Sequence, residues 1–283
     1  MPDFDSVHAY IHQRLCLTFQ PKIGMNSSFS VSLYIINKEK LIMNIISKTD
    51  SWRKNLLLYR FLRFRKGFGV HSPFAFAFIT KVIDERWEYY CYQDIELIRK
   101  QLLQHENHPV RQEIKRSHGE LLFRVVNYFK PRKLIQFGSP AGIGTLYMAS
   151  YASGLNCLVL EENEEFAQQT RWSLQRKAYI SADIRPGDYR QTFPKALQEM
   201  DKVDFIFFNS PQTLNRSFID EALKHIHPDS VFFIEGIRAN KAMRQLWKEL
   251  CTSPQVVLTF DLYNIGILFF NPRLQKRNYI VYF

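Results

Sequence analysis

A chain of 283 residues that is 46% hydrophobic and 23% charged can bury one large core plus an accessory segment, and its composition excludes global disorder. Its four cysteines, Cys16, Cys91, Cys157 and Cys251, form no CxxC pair, which sets aside a zinc knuckle or redox motif and suits a reducing, cytoplasmic compartment. The formal net charge of +11 favours anionic partners without choosing among nucleic acid, acidic lipid and phosphorylated ligands, and no apolar run reaches the roughly 18 residues that span a bilayer.

Residues 1–42 carry strand-like pieces but no periodicity linking them to the rest of the chain, and no leader-like basic start. They read as an N-terminal extension, and the folded protein is expected to begin near Met43. Residues 43–116 read as a helical lead-in. Within them the segment from Trp52 to Lys66, WRKNLLLYRFLRFRK, holds six basic residues and no acidic one. At roughly 100° per residue, Leu57, Leu58, Phe61, Leu62 and Phe64 share one side and Arg53, Arg60, Arg63 and Lys66 the other. Such a helix either packs its apolar face on the domain, the reading we favour, or docks on an anionic surface such as a membrane or RNA. A turn-rich break comes next, and Ser72-Pro73 starts another helix. His71 lies in that break; a lone loop histidine is seldom a site. Helices are predicted over residues 94–105 and 118–129.

From Lys133 onward short apolar runs alternate with helical segments. Strands are predicted at residues 133–137, 156–160, 183–185, 203–208 and 230–235. Helices fit at 142–151, 164–177, 192–200, 214–226 and 241–251. Continuous apolar runs such as Phe205 to Phe208 suit strands buried on both faces, and the alternation predicts a Rossmann-like, doubly wound, mostly parallel α/β sheet. Residues 256–262 and 265–270 read as a C-terminal antiparallel hairpin, with one more edge strand at 279–283.

The chemistry concentrates in Leu134-Ile-Gln-Phe-Gly-Ser-Pro-Ala-Gly-Ile-Gly-Thr-Leu146, a strand, a Gly-rich turn and a helix start. Gly138 and Gly142 allow close backbone approach to a ligand. Glu161, at the end of the next strand, is placed to accept both hydroxyls of a ribose. Asp188, after the third strand, could accept from an adenine amino group. Each also has a plain structural reading, Glu161 as a helix cap and Asp188 as a turn residue.

The stretch HGELLFRVVNYFKPRKLIQFGSPAGIGTLYMA resembles the lead-in helix and first motif of class I methyltransferases that use S-adenosyl-L-methionine (SAM), and is most similar to the small-molecule O-methyltransferases. The resemblance continues through LVLEENEEFAQQT, RPGDYRQTFP, VDFIFFNSPQ and PDSVFFIEGI, so residues 117–283 are expected to form the SAM-binding domain. It implies SAM as cofactor, bound by Gln136, Gly138, Ser139, Gly142, Glu161, Asp188 and Asn209. Departures narrow the reading. Gln136 stands where the family has an acid that serves the methionine end. Asn209 and Gln212 stand where the metal-dependent members have a metal-binding Asp and a catalytic Lys, and Glu235-Gly236 replaces an Asp-Asn pair. Magnesium prefers carboxylate oxygens, so no metal is expected. Asn209 and Glu235 are the candidate catalytic residues, and a small molecule is the expected methyl acceptor. The alternatives are a non-catalytic SAM- or nucleoside-binding protein on the same scaffold, and a methyltransferase docked on nucleic acid or membrane. Asn209-Ser210-Pro211-Gln212 is only faintly similar to the Asn-Pro-Pro-aromatic motif of amino-methylating enzymes.

Overall fold

The computed structural model describes residues 70–103, 113–177 and 180–283, all within the second of the chain's two units, residues 60–283. The predicted extension 1–42, the start near Met43 and the basic segment 52–66 lie outside the described residues.

Helix α1 (Pro73–Phe78) begins as predicted, with the Ser72 hydroxyl accepting from the Ala75 N–H at 3.3 Å. It runs into a π-helical turn, Ile79–Ile83. The buried Arg124 closes that turn by donating through Nε to the Val82 carbonyl at 2.7 Å. Helix α2 spans Tyr90–Leu103 and begins four residues earlier than expected, because Tyr89 and Tyr92 pack on Phe123 where the sequence shows no polar cap. Helix α3 spans Arg116–Phe129 and stops at Lys130, whose left-handed φ of 54° precedes Pro131.

The sheet then unfolds in sequence: β1 (Lys133–Phe137), α4 (Ile143–Ala149), β2 (Asn156–Glu161), α5 (Glu164–Gln175), β3 (Asp183–Pro186), α6 (Tyr189–Met200), β4 (Phe205–Phe208), α7 (Arg216–Leu223), β5 (Val231–Glu235), α8 (Lys241–Thr252), β6 (Leu258–Asp261), β7 (Ile265–Phe269) and β8 (Arg277–Ile280). Its order is β3-β2-β1-β4-β5-β7-β6-β8. Among the described strands only β7 runs antiparallel to its neighbours. The last strand pairs parallel to β6 and starts two residues before the predicted edge strand, at Arg277.

Alternation along the central strands sorts the core into two layers. Leu134, Val159, Phe205, Phe207 and Phe233 join the side chains of α1 to α4. Ile135, Phe137, Leu160, Ile206, Phe208 and Phe232 join α6, α7 and α8. With both faces covered, every residue of the Phe205–Phe208 run is buried. Among the described residues no helix is long and apolar enough to cross a membrane.

The Gly of the His-Gly-Glu-Leu-Leu lead-in has a packing cause. A Cβ on Gly119 would stand 2.4 Å from Cδ2 of Tyr147 on α4. That ring is fully buried and tethered by its hydroxyl, which donates to Glu96 Oε1 at 3.0 Å. Gly119→Ala gains about 1 kcal/mol of helix propensity but incurs about 1–3 kcal/mol of overpacking. Since Tyr147 cannot step aside, a net fall in Tm is expected in thermal denaturation; a rise would show that the two helices separate freely.

Candidate functional site

The strand register builds the site. Phe137 lies opposite Leu160 on β2 and opposite Phe208 on β4. Phe208 lies opposite Ile234 on β5. The next residues along, Gly138, Glu161, Asn209 and Glu235, therefore stand at one level on the carboxyl edge of the sheet. That edge lies between β1 and β4, where the chain crosses from one half of the sheet to the other, the usual crevice of open α/β folds. A cavity of about 370 Å³ opens there, walled by Glu113, Lys115, Gly138, Glu161, Asn209 and Glu235 together with apolar Ile114, Pro140, Phe166, Pro211 and Ala239. Its volume falls in the range of small-molecule sites.

Gly138 has φ +88°, and a Cβ there would meet the Ser210 Cβ at 2.8 Å, so both backbone and packing demand glycine. Glu161 is buried, yet it faces the cavity. Its Oε2 accepts from the Ser139 N–H at 2.7 Å and its Oε1 from the Asn163 N–H at 3.0 Å. A carboxylate offers about four lone-pair positions, so Oε1 keeps room for a ligand hydroxyl, while the second position on Oε2 is met by the Tyr189 hydroxyl at 3.5 Å, too long to hold it against a better donor. Burial pushes the Glu161 carboxyl above the ordinary glutamate range, and the charge of Glu113 adds to this; the two backbone donors pull the other way.

Asn209, Gly138, Glu161 and Glu235 of the predicted set are brought together in the cavity wall; Gln136, Ser139, Gly142 and Asp188 are not. Gln136 is fully buried, donating to the Gly138 carbonyl at 2.9 Å and accepting from Thr145 Oγ1 at 2.8 Å, so both ends of its amide brace the Gly-rich turn. Ser139 is likewise buried, its hydroxyl 3.1 Å from those of Thr145 and Thr170. Gly142, with φ +80°, abuts Thr170 on α5. Asp188 is the N-cap of α6, accepting from the Arg190 N–H at 2.8 Å. His71 is exposed and does not line the cavity.

Sequence reasoning missed two residues. Glu113 is buried; its Oε1 accepts from the N–H groups of Ala141 at 2.8 Å and Ile143 at 3.1 Å, and its Oε2 lies 3.4 Å from Asn209 Nδ2. These partners stand 28 to 96 residues away, beyond any local pattern. His118 on α3 puts Nδ1 2.8 Å from Glu235 Oε1, while Glu235 Oε2 is buried without a hydrogen-bond partner among the described residues. The place of His118 in the Gly-x-Leu-Leu lead-in is the signal that could have found it. Among the described residues no group of three or more His, Cys, Asp or Glu side chains is arranged to hold a metal ion.

No protein-family model matches the sequence, and no curated protein matches it. Solved structures do. The SAH-bound methyltransferase PaMTH1 of Podospora anserina superimposes with a TM-score of 0.55 at 11% identity, over 67% of this chain and 91% of that one. A methyltransferase of Geobacter sulfurreducens gives 0.53 at 13% identity, over 63% and 88%. A provisionally identified O-methyltransferase of Klebsiella pneumoniae gives 0.53 at 16%, over 67% and 94%. At such identities the likeness establishes the fold alone: the described domain shares the architecture of these solved structures.

Proposed function

We propose that the protein is a SAM-dependent methyltransferase that works without a metal ion and methylates a small molecule. The observation that carries this reading is the shared sheet level of Gly138, Glu161 and Asn209, with a buried carboxylate kept open toward the cavity. The donor set fits SAM. Glu161 can receive the ribose hydroxyls, and a wall with three carboxylates and one lysine suits a ligand bearing a sulfonium and an ammonium. When bound, SAM supplies a sulfonium-borne methyl group for in-line displacement. The chain's own residues then have to position the acceptor and take its proton.

Glu235 is the candidate base and Asn209 the candidate orienting group. Glu235 lines the cavity and is held by His118, and its second oxygen still needs a donor, which an acceptor hydroxyl would provide. The metal-free reading rests on Asn209 and Gln212 standing in place of a carboxylate and a lysine. The described cysteines, Cys91, Cys157 and Cys251, are unbridged, which supports a cytoplasmic location. A docking role for the segment 52–66 remains a separate proposal, tested by the salt dependence of binding to RNA and anionic vesicles.

Titration calorimetry of the full chain with S-adenosylhomocysteine (SAH) should show saturable one-to-one binding. Absence of heat at ligand concentrations of about 1 mM, where even 4 kcal/mol of binding is visible, would remove the proposal. If SAH binds but no methyl group passes from SAM to any fraction of a metabolite extract, the non-catalytic alternative takes its place.

A further inference from the structure

Resting on the methyltransferase reading, we infer that His118 is a positioning residue for deprotonation of the acceptor. It holds the Glu235 carboxylate by one oxygen so that the other receives a proton, and the site therefore takes substrates whose nucleophilic atom carries its own hydrogen. The two side chains lie 117 residues apart in the chain, yet His118 Nδ1 stands 2.8 Å from Glu235 Oε1. Each is mounted on a fixed element. Glu235 is the last residue of β5, opposite Ile265 on β7. His118 belongs to the first turn of α3. Only 11% and 13% of the two side chains are exposed, and the Phe283 ring packs beside the imidazole with its centre 6.1 Å away. Poor access of water strengthens the bond between them.

A carboxylate only accepts, so the shared proton belongs to His118 Nδ1. That bond occupies Oε1 and leaves Oε2, which is buried without a hydrogen-bond partner among the described residues. A plain tether between α3 and the sheet does not account for this arrangement. An unmet buried carboxylate oxygen is costly, and a tether gains nothing from it. Glu235 also forms part of the cavity wall, where a donor on the acceptor supplies the missing partner. A neutral O–H or N–H group qualifies. A carboxylate is repelled by Glu235, and a tertiary amine or a thioether has no proton to give. The step balances on that basis. The acceptor's lone pair forms the bond to the methyl carbon, the carbon–sulfur bond breaks with its electron pair left on sulfur, and the acceptor's proton passes to Glu235, which returns it to solvent. His118 keeps its Nδ1 proton throughout.

The test uses fluorine NMR titrations on the SAH-loaded full chain. It compares para-fluorophenol with para-fluoroanisole, which keeps the ring and the oxygen but has no hydrogen to donate. The wild type should prefer the phenol by about ten-fold or more, as expected for one hydrogen bond to a charged group. His118→Phe keeps a ring and loses the donor; Glu235→Gln loses the charge. Each should bring the preference below about two-fold, while SAH affinity, followed by calorimetry, changes by less than the same factor. His118→Asn places an amide nitrogen close to the position of Nδ1 and should restore a preference above about three-fold. Should His118→Phe fail to fold, Glu235→Gln and His118→Asn decide between them. A preference lost equally in His118→Phe and His118→Asn, or in Glu235→Gln and His118→Asn, would reduce His118 to a packing residue. A wild type that binds SAH but does not distinguish the two probes, or binds neither, would overturn the inference. A wild type that does not bind SAH would instead sink the SAM reading itself.

Discussion

Glu161→Gln is expected to weaken SAH and 5′-methylthioadenosine alike, by about 10- to 100-fold each, because both carry the ribose that the proposed function assigns to this carboxylate. The magnitude comes from removing the charge from buried hydrogen bonds, about 1.5–3 kcal/mol. The amide also brings a donor to a place where Ser139 and Asn163 already donate. The effect depends on pH. Burial foremost, and then the charge of Glu113, hold the Glu161 carboxyl above its ordinary value. Only the ionised form accepts from both hydroxyls. Affinity should therefore be full above the raised value and fall as pH drops through it, starting at a higher pH than an ordinary glutamate would give. The stability sign is opposite. A carboxyl with a raised folded-state pKa costs folding stability as pH rises from the unfolded value through the folded one. Bound ligand offsets that cost, so the thermal shift caused by SAH should grow with pH over the same window. A variant that binds both ligands as the wild type does would place the ribose elsewhere.

The second large effect is structural. Asp261, buried at the end of β6, accepts from Arg238 Nη1 at 2.9 Å and Nη2 at 2.6 Å, from Trp247 Nε1 at 3.1 Å and from the Tyr263 N–H at 2.9 Å. Arg238 also donates to the Tyr263 carbonyl. This hub fixes the turn between β6 and β7, where Tyr263 adopts a left-handed φ of 72° and Asn264 reaches the cavity wall. Asp261→Ala takes the shared carboxylate away from a guanidinium and an indole N–H. Loss of one partner of a buried pair costs about 3–5 kcal/mol; since the Arg238 side chain is 26% exposed, about 3 kcal/mol is expected. For a domain of this size that lowers Tm by about 6–12 °C. A fall of less than about 2 °C would show that water takes over the role of the carboxylate.

The architecture is legible because buried parallel strands announce themselves as unbroken apolar runs, and because Gly138 and Glu161 emerge from the strand-turn-helix pattern at the right distance. Asp188 shows where that legibility ends. An acidic residue after a strand serves a ligand or the next helix equally well, and only the coordinates reveal it capping α6. The motif position of Gln136 implies a cofactor contact, whereas both ends of its amide are taken up inside the turn. Glu113 is invisible in the sequence because its partners are distant along the chain and its surroundings, Arg111 to Arg116, look like a solvated charged linker. The start of α2 departs from expectation because aromatic packing on Phe123, which no capping rule anticipates, carries the helix back to Tyr90.

The common level of Gly138, Glu161, Asn209 and Glu235 has a bearing on how such a site can change. Each wall position is the first residue released by, or the last held in, a different strand, and the strands are fixed by their own buried faces. The floor of the pocket is thus a row of interchangeable tiles on a rigid frame. On the proposed function, substitutions at the β5 end, around Glu235, Gly236 and Asn264, would retune the acceptor while the tiles at β1 and β2 stay in register, so selectivity and cofactor binding would drift independently.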